Sequence, residues 1–231
     1  MLEFINLHGH TTYSADSASK IDKLVKYVST LNQSSLAISD HGNMSGVIKF
    51  QKECQKHNIK PILGIEFYIC PQQQSSLDKS ASNKKLNHLV VLAKNKIGYQ
   101  NLLKLVYLSN QPERAYYRPR IDEELLFSHA EGLIVLNGHH STSIWSELIF
   151  NIDGLEKCET LEEAREYLFP DWENRVKKIA DRYKNVFNDD FYIECQLFDK
   201  QDISQQLTGT VLWEFAQKYN FQAVGTSDHH Y

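Results

Sequence analysis

Seven apolar stretches of strand length recur along this chain, at 4–10, 35–39, 61–69, 86–92, 132–136, 191–197 and 222–227, and most carry or end on a histidine or an acid. Segments of helical period separate most of them. The first has Ile21, Leu24, Val25, Val28 and Leu31 on one face, and the last has Val211, Leu212, Phe215 and Ala216. Strands alternating with helices argue for a parallel α/β sheet closed into a barrel. Crossovers of one hand would place all strand C-termini on one face, where barrels of this kind do their chemistry. His8, His10, His41, His139, Asp228 and His230 all follow such strand ends. Glu66 and His88 lie inside strands and can point into the same mouth.

The chemistry of these positions is that of a metal site. In an extended backbone His8 and His10 point the same way, so two imidazoles can grip one ion while Gly9 leaves room opposite. Glu66, flanked by Ile65 and Phe67, is an acid whose burial is expensive unless it is paired or metal-bound. Its two oxygens can bridge two ions, the arrangement used for in-line displacement at phosphorus. Imidazole and carboxylate suit Zn, Mn or Fe, and the four scattered cysteines offer no paired spacing for a structural zinc knuckle. The formal charge is −4, so no global basic surface advertises nucleic acid. Three divalent ions would more than offset that charge, and would concentrate the positive field in one cleft able to attract phosphate.

A chain of 231 residues, 42% hydrophobic, suits one large α/β domain or two small ones; the expectation is one domain over 1–231. Residues 72–87 are polar and of low complexity, and read as a mobile excursion rather than a boundary. Residues 141–190 read as mostly helical, including a run over 141–150. A signal peptide and an apolar run of spanning length are both lacking, which points to a cytoplasmic chain with reduced thiols.

Blander roles compete at several positions. His41 can cap the helix that follows Asp40-His41-Gly42-Asn43, His88 can be a satisfied core histidine, and Asp16 can be a cap near a helix. His140 competes with His139 as the ligand at that strand end. Asp40 can orient a ligand imidazole or simply make a turn. His229 should point away from Asp228 and His230 by alternation, and His57 and His129 read as solvated. The stretch from Arg114 to Arg120 mixes arginines with tyrosines and can clamp a phosphate, with Arg118 and Arg120 as substrate-binding candidates, or can be a packed loop.

LHGHTTYS, AISDHGNMSGVIKF, IKPILGIEFYI, HLVVLAKNKIGYQNLLKLV, YYRPRID, EGLIVLNGH and VGTSDHHY, in this order, resemble the PHP (polymerase and histidinol phosphatase) domain family. Within it they are most similar to the N-terminal PHP domains of bacterial DNA polymerase III alpha subunits, over nearly all of the chain. The resemblance implies a distorted (β/α)7, TIM-like barrel with two or three divalent ions. His8, His10, Glu66 and Asp228 would hold the first ion, Glu66, His88 and His139 the second, and Asp16, His41 and His230 the third. His139 stands where polymerase members often have cysteine, and Asp16 follows His10 one residue sooner than in many relatives. Glu66, Asp228 and His230 are the residues expected to carry catalysis.

The implied activity is phosphodiester hydrolysis of the 3'–5' exonuclease type in DNA replication. The expected partners are a DNA 3' end, the remaining polymerase domains and replisome subunits. A stand-alone phosphoesterase of the histidinol phosphatase kind, or a non-catalytic metal-stabilised scaffold of a polymerase, are the alternatives. Nothing resembling a polymerase palm is present, so polymerisation is not expected of this chain alone.

Overall fold

A computed structural model describes residues 4–72, 74–80, 85–196, 199 and 201–231. These fall into two compact units, residues 1–133 with 227–231, and residues 134–226.

The first unit is built on β1 (Ser35–Ile38) and β2 (Lys60–Ile69), which pair in parallel from Ser35↔Lys60 to Ile38↔Leu63. All of β1 is buried, as expected of a strand covered on both faces. The flanking helices α1 (Ile21–Thr30) and α2 (Val47–Lys56) bury Ile21, Val25 and Val28, and Val47, Phe50 and Cys54, each at helical spacing. Along β2 the side chains alternate. Ile65, Phe67 and Ile69 are buried hydrophobics of the core, and Glu66 and Tyr68 point to the other face.

Strand β3 (Asn87–Ala93) runs antiparallel to β2, with Tyr68 opposite His88 and Ile69 opposite Asn87. The all-parallel reading is therefore wrong for this strand. The consequence is functional: an antiparallel strand brings its N-terminal residue His88 to the end of β2 where a parallel strand would bring its C-terminus. Helix α3 (Lys96–Ser109) starts on an Asn95 cap. The two-residue strand β4 (Arg120–Ile121) pairs with Tyr68 and Ile69, and α4 (Glu123–Phe127) follows. The stretch over 4–10 forms no ladder among the described residues. It lies extended, with Asn6 O accepting from Ala37 N and Gly9 O from Ser39 N.

In the second unit β5 (Leu133–Asn137), β6 (Phe191–Gln196) and β7 (Ala223–Thr226) are parallel neighbours. Helices α5 (Ile152–Leu155), α6 (Leu161–Arg165), α7 (Trp172–Phe187) and α8 (Ile203–Tyr219) complete it. Helix α6 opens on a capping box between Thr160 and Glu163. The helix expected over 141–150 is only a 3-10 turn, Trp145–Glu147. Ser141 has φ +69°, and the hydroxyls of Thr142 and Ser146 bond the carbonyls of His139 and Ser143, offering the backbone an alternative to a helix.

Residue 73 and residues 81–84 of the expected mobile excursion lie outside the described residues. Its described part is tied down. Asp122 accepts from Ser76 N and Oγ at 2.6 Å, lies beside Arg114, and caps α4 through Leu125 N. Burial raises the Asp122 pKa, but the Ser76 and Leu125 hydrogen bonds outweigh it and hold the carboxyl below its ordinary 3.8. Asp122→Ala is expected to cost about 2–4 kcal/mol, from a lost cap and orphaned donors. Because the folded pKa is depressed, this stabilisation is present above the ordinary carboxylate value and is lost as pH falls through the folded one. Thermal melts of both proteins should therefore differ by several degrees at pH 7 and converge in acid.

Candidate metal centre

The segment over 8–10 delivers two wholly buried imidazoles to one point, their Nε2 atoms 3.2 Å apart. Asp228 Oδ1 stands 3.1 Å from both. Glu66 Oε2 is 3.1 Å from His10 Nε2, 3.5 Å from His8 Nε2 and 2.9 Å from His41 Nδ1. Its other oxygen, Oε1, is 2.9 Å from His88 Nδ1. One carboxylate, 2% exposed, thus faces four histidines. Further out, Asp16 Oδ2 lies 3.2 Å from His41 Nε2 and Asp16 Oδ1 3.8 Å from His230 Nε2. The His230 ring stacks on His10 at 4.2 Å. The structure therefore brings together the eight positions named from sequence that lie in the first unit.

This donor set fits divalent cations. His8, His10 and Glu66 form one group able to hold an ion, His41, Glu66 and His88 a second, and His10, His41 and His230 a third. Gaps of 2.9–3.5 Å between donor atoms are those left around an ion bound at about 2.1 Å. His41 Nδ1 is buried and makes no hydrogen bond although Glu66 Oε2 is 2.9 Å away. An approach this close in the wrong direction for N–H···O is what two lone pairs aimed at a common cation produce.

A hydrogen-bond relay sets the tautomer of His10. Ser14 Oγ donates its only proton to Asp40 Oδ1, since the carboxylate can only accept. Ser14 Oγ also receives His41 N–H at 3.0 Å. The contact with His10 Nδ1 at 2.9 Å must then be donated by the ring, which leaves Nε2 facing Glu66 and Asp228. Asp40, also bonded by Thr11 N and Oγ1, anchors the relay. Burial disfavours a charged His10, but hydrogen bonds to Asp228 and Glu66 outweigh it and raise the ring's pKa.

The C-terminal segment is fixed by small contacts that sequence reading missed. Asn6 Oδ1 accepts from Ser227 N, and Asn6 Nδ2 bonds His8 O at 2.7 Å and His229 Nδ1 at 2.8 Å. His10 N donates to His229 O, and Ala18 N to His230 O. Asp228 adopts φ +46°, a left-handed conformation tolerated by aspartate and common where a site dictates the backbone. The His229 ring lies against Gly9, with Nδ1 held by Asn6 Nδ2. Burial and the neighbouring His10 and His8 push its pKa down to about 4.

His139 lies in the second unit, buried, its Nδ1 2.5 Å from Glu194 Oε2. Thr226 Oγ1 donates to Glu194 Oε1 at 2.6 Å. His140 is exposed and packs on Trp145 at 4.2 Å, so of the two neighbours His139 is the one built into a buried polar network. Glu194 gave the same signal as Glu66, an acid inside an apolar strand, but was not singled out from the sequence.

The two arginines part company. Arg120 is fully buried, with Nε donating to Arg114 O and Nη2 to Asp78 O, and its guanidinium over the Tyr116 ring. Those bonds make it an anchor for the surrounding loop, not a group presented to substrate. Arg118 is exposed, 5.4 Å above the ring of Tyr68, which in turn stacks on His41 at 5.7 Å.

A buried histidine–carboxylate cluster at strand ends of a mixed α/β chain is a donor set suited to divalent cations. The chain belongs to the PHP domain family, whose profile matches residues 6–197. It is 35% identical to DNA polymerase III subunit alpha of Treponema pallidum over 235 residues, which is 100% of this chain and 18% of that protein. It is 37% identical to the same subunit of Thermus aquaticus over 240 residues, 100% of this chain and 17% of that protein. The chain thus spans under a fifth of the length of these relatives.

Among solved structures, a proposed metal-dependent phosphoesterase from Bifidobacterium adolescentis superposes with a TM-score of 0.54 at 12% identity, over 100% of this chain and 89% of that one. A two-domain protein from Bacteroides vulgatus with a predicted PHP-like metal-dependent phosphoesterase domain also scores 0.54 at 12% identity, over 98% of this chain and 51% of that one. These likenesses show the fold, mixed α/β of the distorted TIM-like barrel type.

Proposed function

We propose that this chain is the PHP module of a DNA polymerase III alpha-type protein and hydrolyses phosphodiester bonds with two or three divalent ions (Zn, Mn or Fe), in the manner of a 3'–5' exonuclease. The observation that carries the reading is Glu66, buried with both oxygens facing imidazoles, where only cations or protons can offset its charge. Identity of about a third to polymerase alpha subunits over the full chain supports the setting, and a cytoplasmic replisome with its other polymerase domains follows from it. Among the described residues no helix is long and apolar enough to cross a membrane.

In this reading His8, His10, Glu66 and Asp228 would hold one ion, and Glu66 and His88 would be ligands of a second. Asp16, His41 and His230 hold the third. Bound there, the ions would supply a hydroxide nucleophile and neutralise charge on the phosphoryl oxygens. The protein's own part is orientation. The Ser14–Asp40 relay fixes His10, and the Asn6 clamp fixes Asp228 and His230. Arg118, exposed beside Tyr68, meets the incoming phosphate. Arg120 is dropped from the substrate-binding pair because it is consumed internally.

The test is hydrolysis of a 5'-labelled single-stranded oligonucleotide by manganese- or zinc-loaded protein, beside a panel of phosphate monoesters. Stepwise shortening from the 3' end is the expected result. Phosphate release from monoesters alone would favour a small-molecule phosphatase. A large drop in melting temperature on chelation without any turnover would favour the scaffold.

A further inference from the structure

The segment Tyr116–Arg118 projects as a tight tip, closed by a Tyr116 N to Arg118 O hydrogen bond of 3.1 Å. At its apex Tyr117 has φ +60°, a left-handed conformation that glycine or asparagine would take more cheaply than an aromatic residue. Its side chain is 77% exposed, so burial does not explain why a tyrosine stands there. The mount beneath is rigid. The Tyr116 ring packs edge-on against Tyr117 at 4.6 Å, and the buried Arg120 guanidinium lies 5.1 Å from the Tyr116 ring. Pro119 packs so closely on Gly42 that a Cβ there would meet Pro119 Cγ at 3.1 Å. The tip is also one ring from the metal ligands, since Arg118 covers Tyr68 and Tyr68 touches His41 and His88.

We propose that this tip is a nucleotide-binding subsite: Tyr117 stacks on a base of a single-stranded nucleic acid while Arg118 holds the adjoining phosphate. An exposed aromatic beside an arginine is the minimal platform for an unpaired base, which offers a π-face and one negative charge per residue. The placement deepens the hydrolase reading and rests on it for the identity of the occupant. A rigid stacking ring next to the cleft selects a strand with bases over a small phosphate ester. It also accounts for the strain, because the left-handed backbone turns the ring outward from a loop that is otherwise anchored inward.

The experiment is fluorescence anisotropy of a labelled oligo(dT), its 3' linkages phosphorothioate to resist cleavage, with manganese-loaded protein. Tyr117→Ala and Tyr117→Gly should each weaken binding about tenfold, and Tyr117→Phe should stay within about twofold of wild type. An oligonucleotide abasic at its 3' end should bind wild type and Tyr117→Ala alike. Tyr117→Gly relieves the backbone strain, so its melting temperature should match or exceed wild type and exclude unfolding as the cause. Equal binding by wild type and Tyr117→Ala, the same tyrosine dependence on the abasic strand, or no oligonucleotide binding by wild type overturns the subsite. Tyrosine-dependent binding without hydrolysis of any diester keeps the subsite and removes the hydrolase instead.

Discussion

Glu66→Gln is expected to abolish tight metal binding at the proposed centre and to lower the proposed phosphodiester hydrolysis at least a thousandfold, a loss of about 4 kcal/mol in transition-state stabilisation. The substitution keeps the shape of the side chain and removes its charge. Glutamine can offer one oxygen to one partner, whereas Glu66 Oε2 faces His8, His10 and His41 while Oε1 faces His88. Two of the candidate ion positions in the first unit share this residue, so both should be lost together. Metal content by inductively coupled plasma mass spectrometry, with activity and circular dichroism on the same sample, provides the check. A folded variant that retains its full metal load would show that Glu66 is not the bridge, whatever happens to turnover.

What made Glu66 readable from sequence was a cost: an acid between Ile65 and Phe67 in a strand needs a partner. The His8–His10 pair was readable for a geometric reason, since alternation puts both rings on one side. The direction of β3 was not. Its apolar run says strand, but the polar sequence that precedes it carries no sign of whether the chain returns parallel or antiparallel. The stretch over 4–10 likewise has the pattern of a strand, and it lies extended beside β1 without a ladder among the described residues. Ser14 and Asn6 were hidden for another reason. Each is a small polar residue of ordinary turn type, and its importance arises from partners as far as 27 residues away for Ser14 and 223 for Asn6. Arg120 misled because an arginine among tyrosines looks the same whether it faces a phosphate or, as here, two backbone carbonyls.

Gly9→Ala should damage the centre without altering any proposed ligand. A Cβ on Gly9 would lie 2.0 Å from His229 Cε1, 2.5 Å from Nδ1 and 2.9 Å from Nε2, far inside contact distance. The ring cannot swing away for nothing, because Asn6 Nδ2 holds its Nδ1 at 2.8 Å. The alternative is for the segment 227–231 to slide, and that segment carries Asp228 and His230. Either response has the cost of overpacking, about 1–3 kcal/mol, or a melting temperature lower by roughly 2–10 °C in a chain of this size. Metal affinity should fall with it, since His10 N bonds His229 O on the same bridge. Removing the obstacle supplies the decisive comparison. In the double variant Gly9→Ala, His229→Ala the new methyl meets no ring, so most of the metal affinity lost in Gly9→Ala should return, a coupling that a double-mutant cycle measures directly. If instead the two substitutions add, the ring of His229 is not what positions Asp228 and His230.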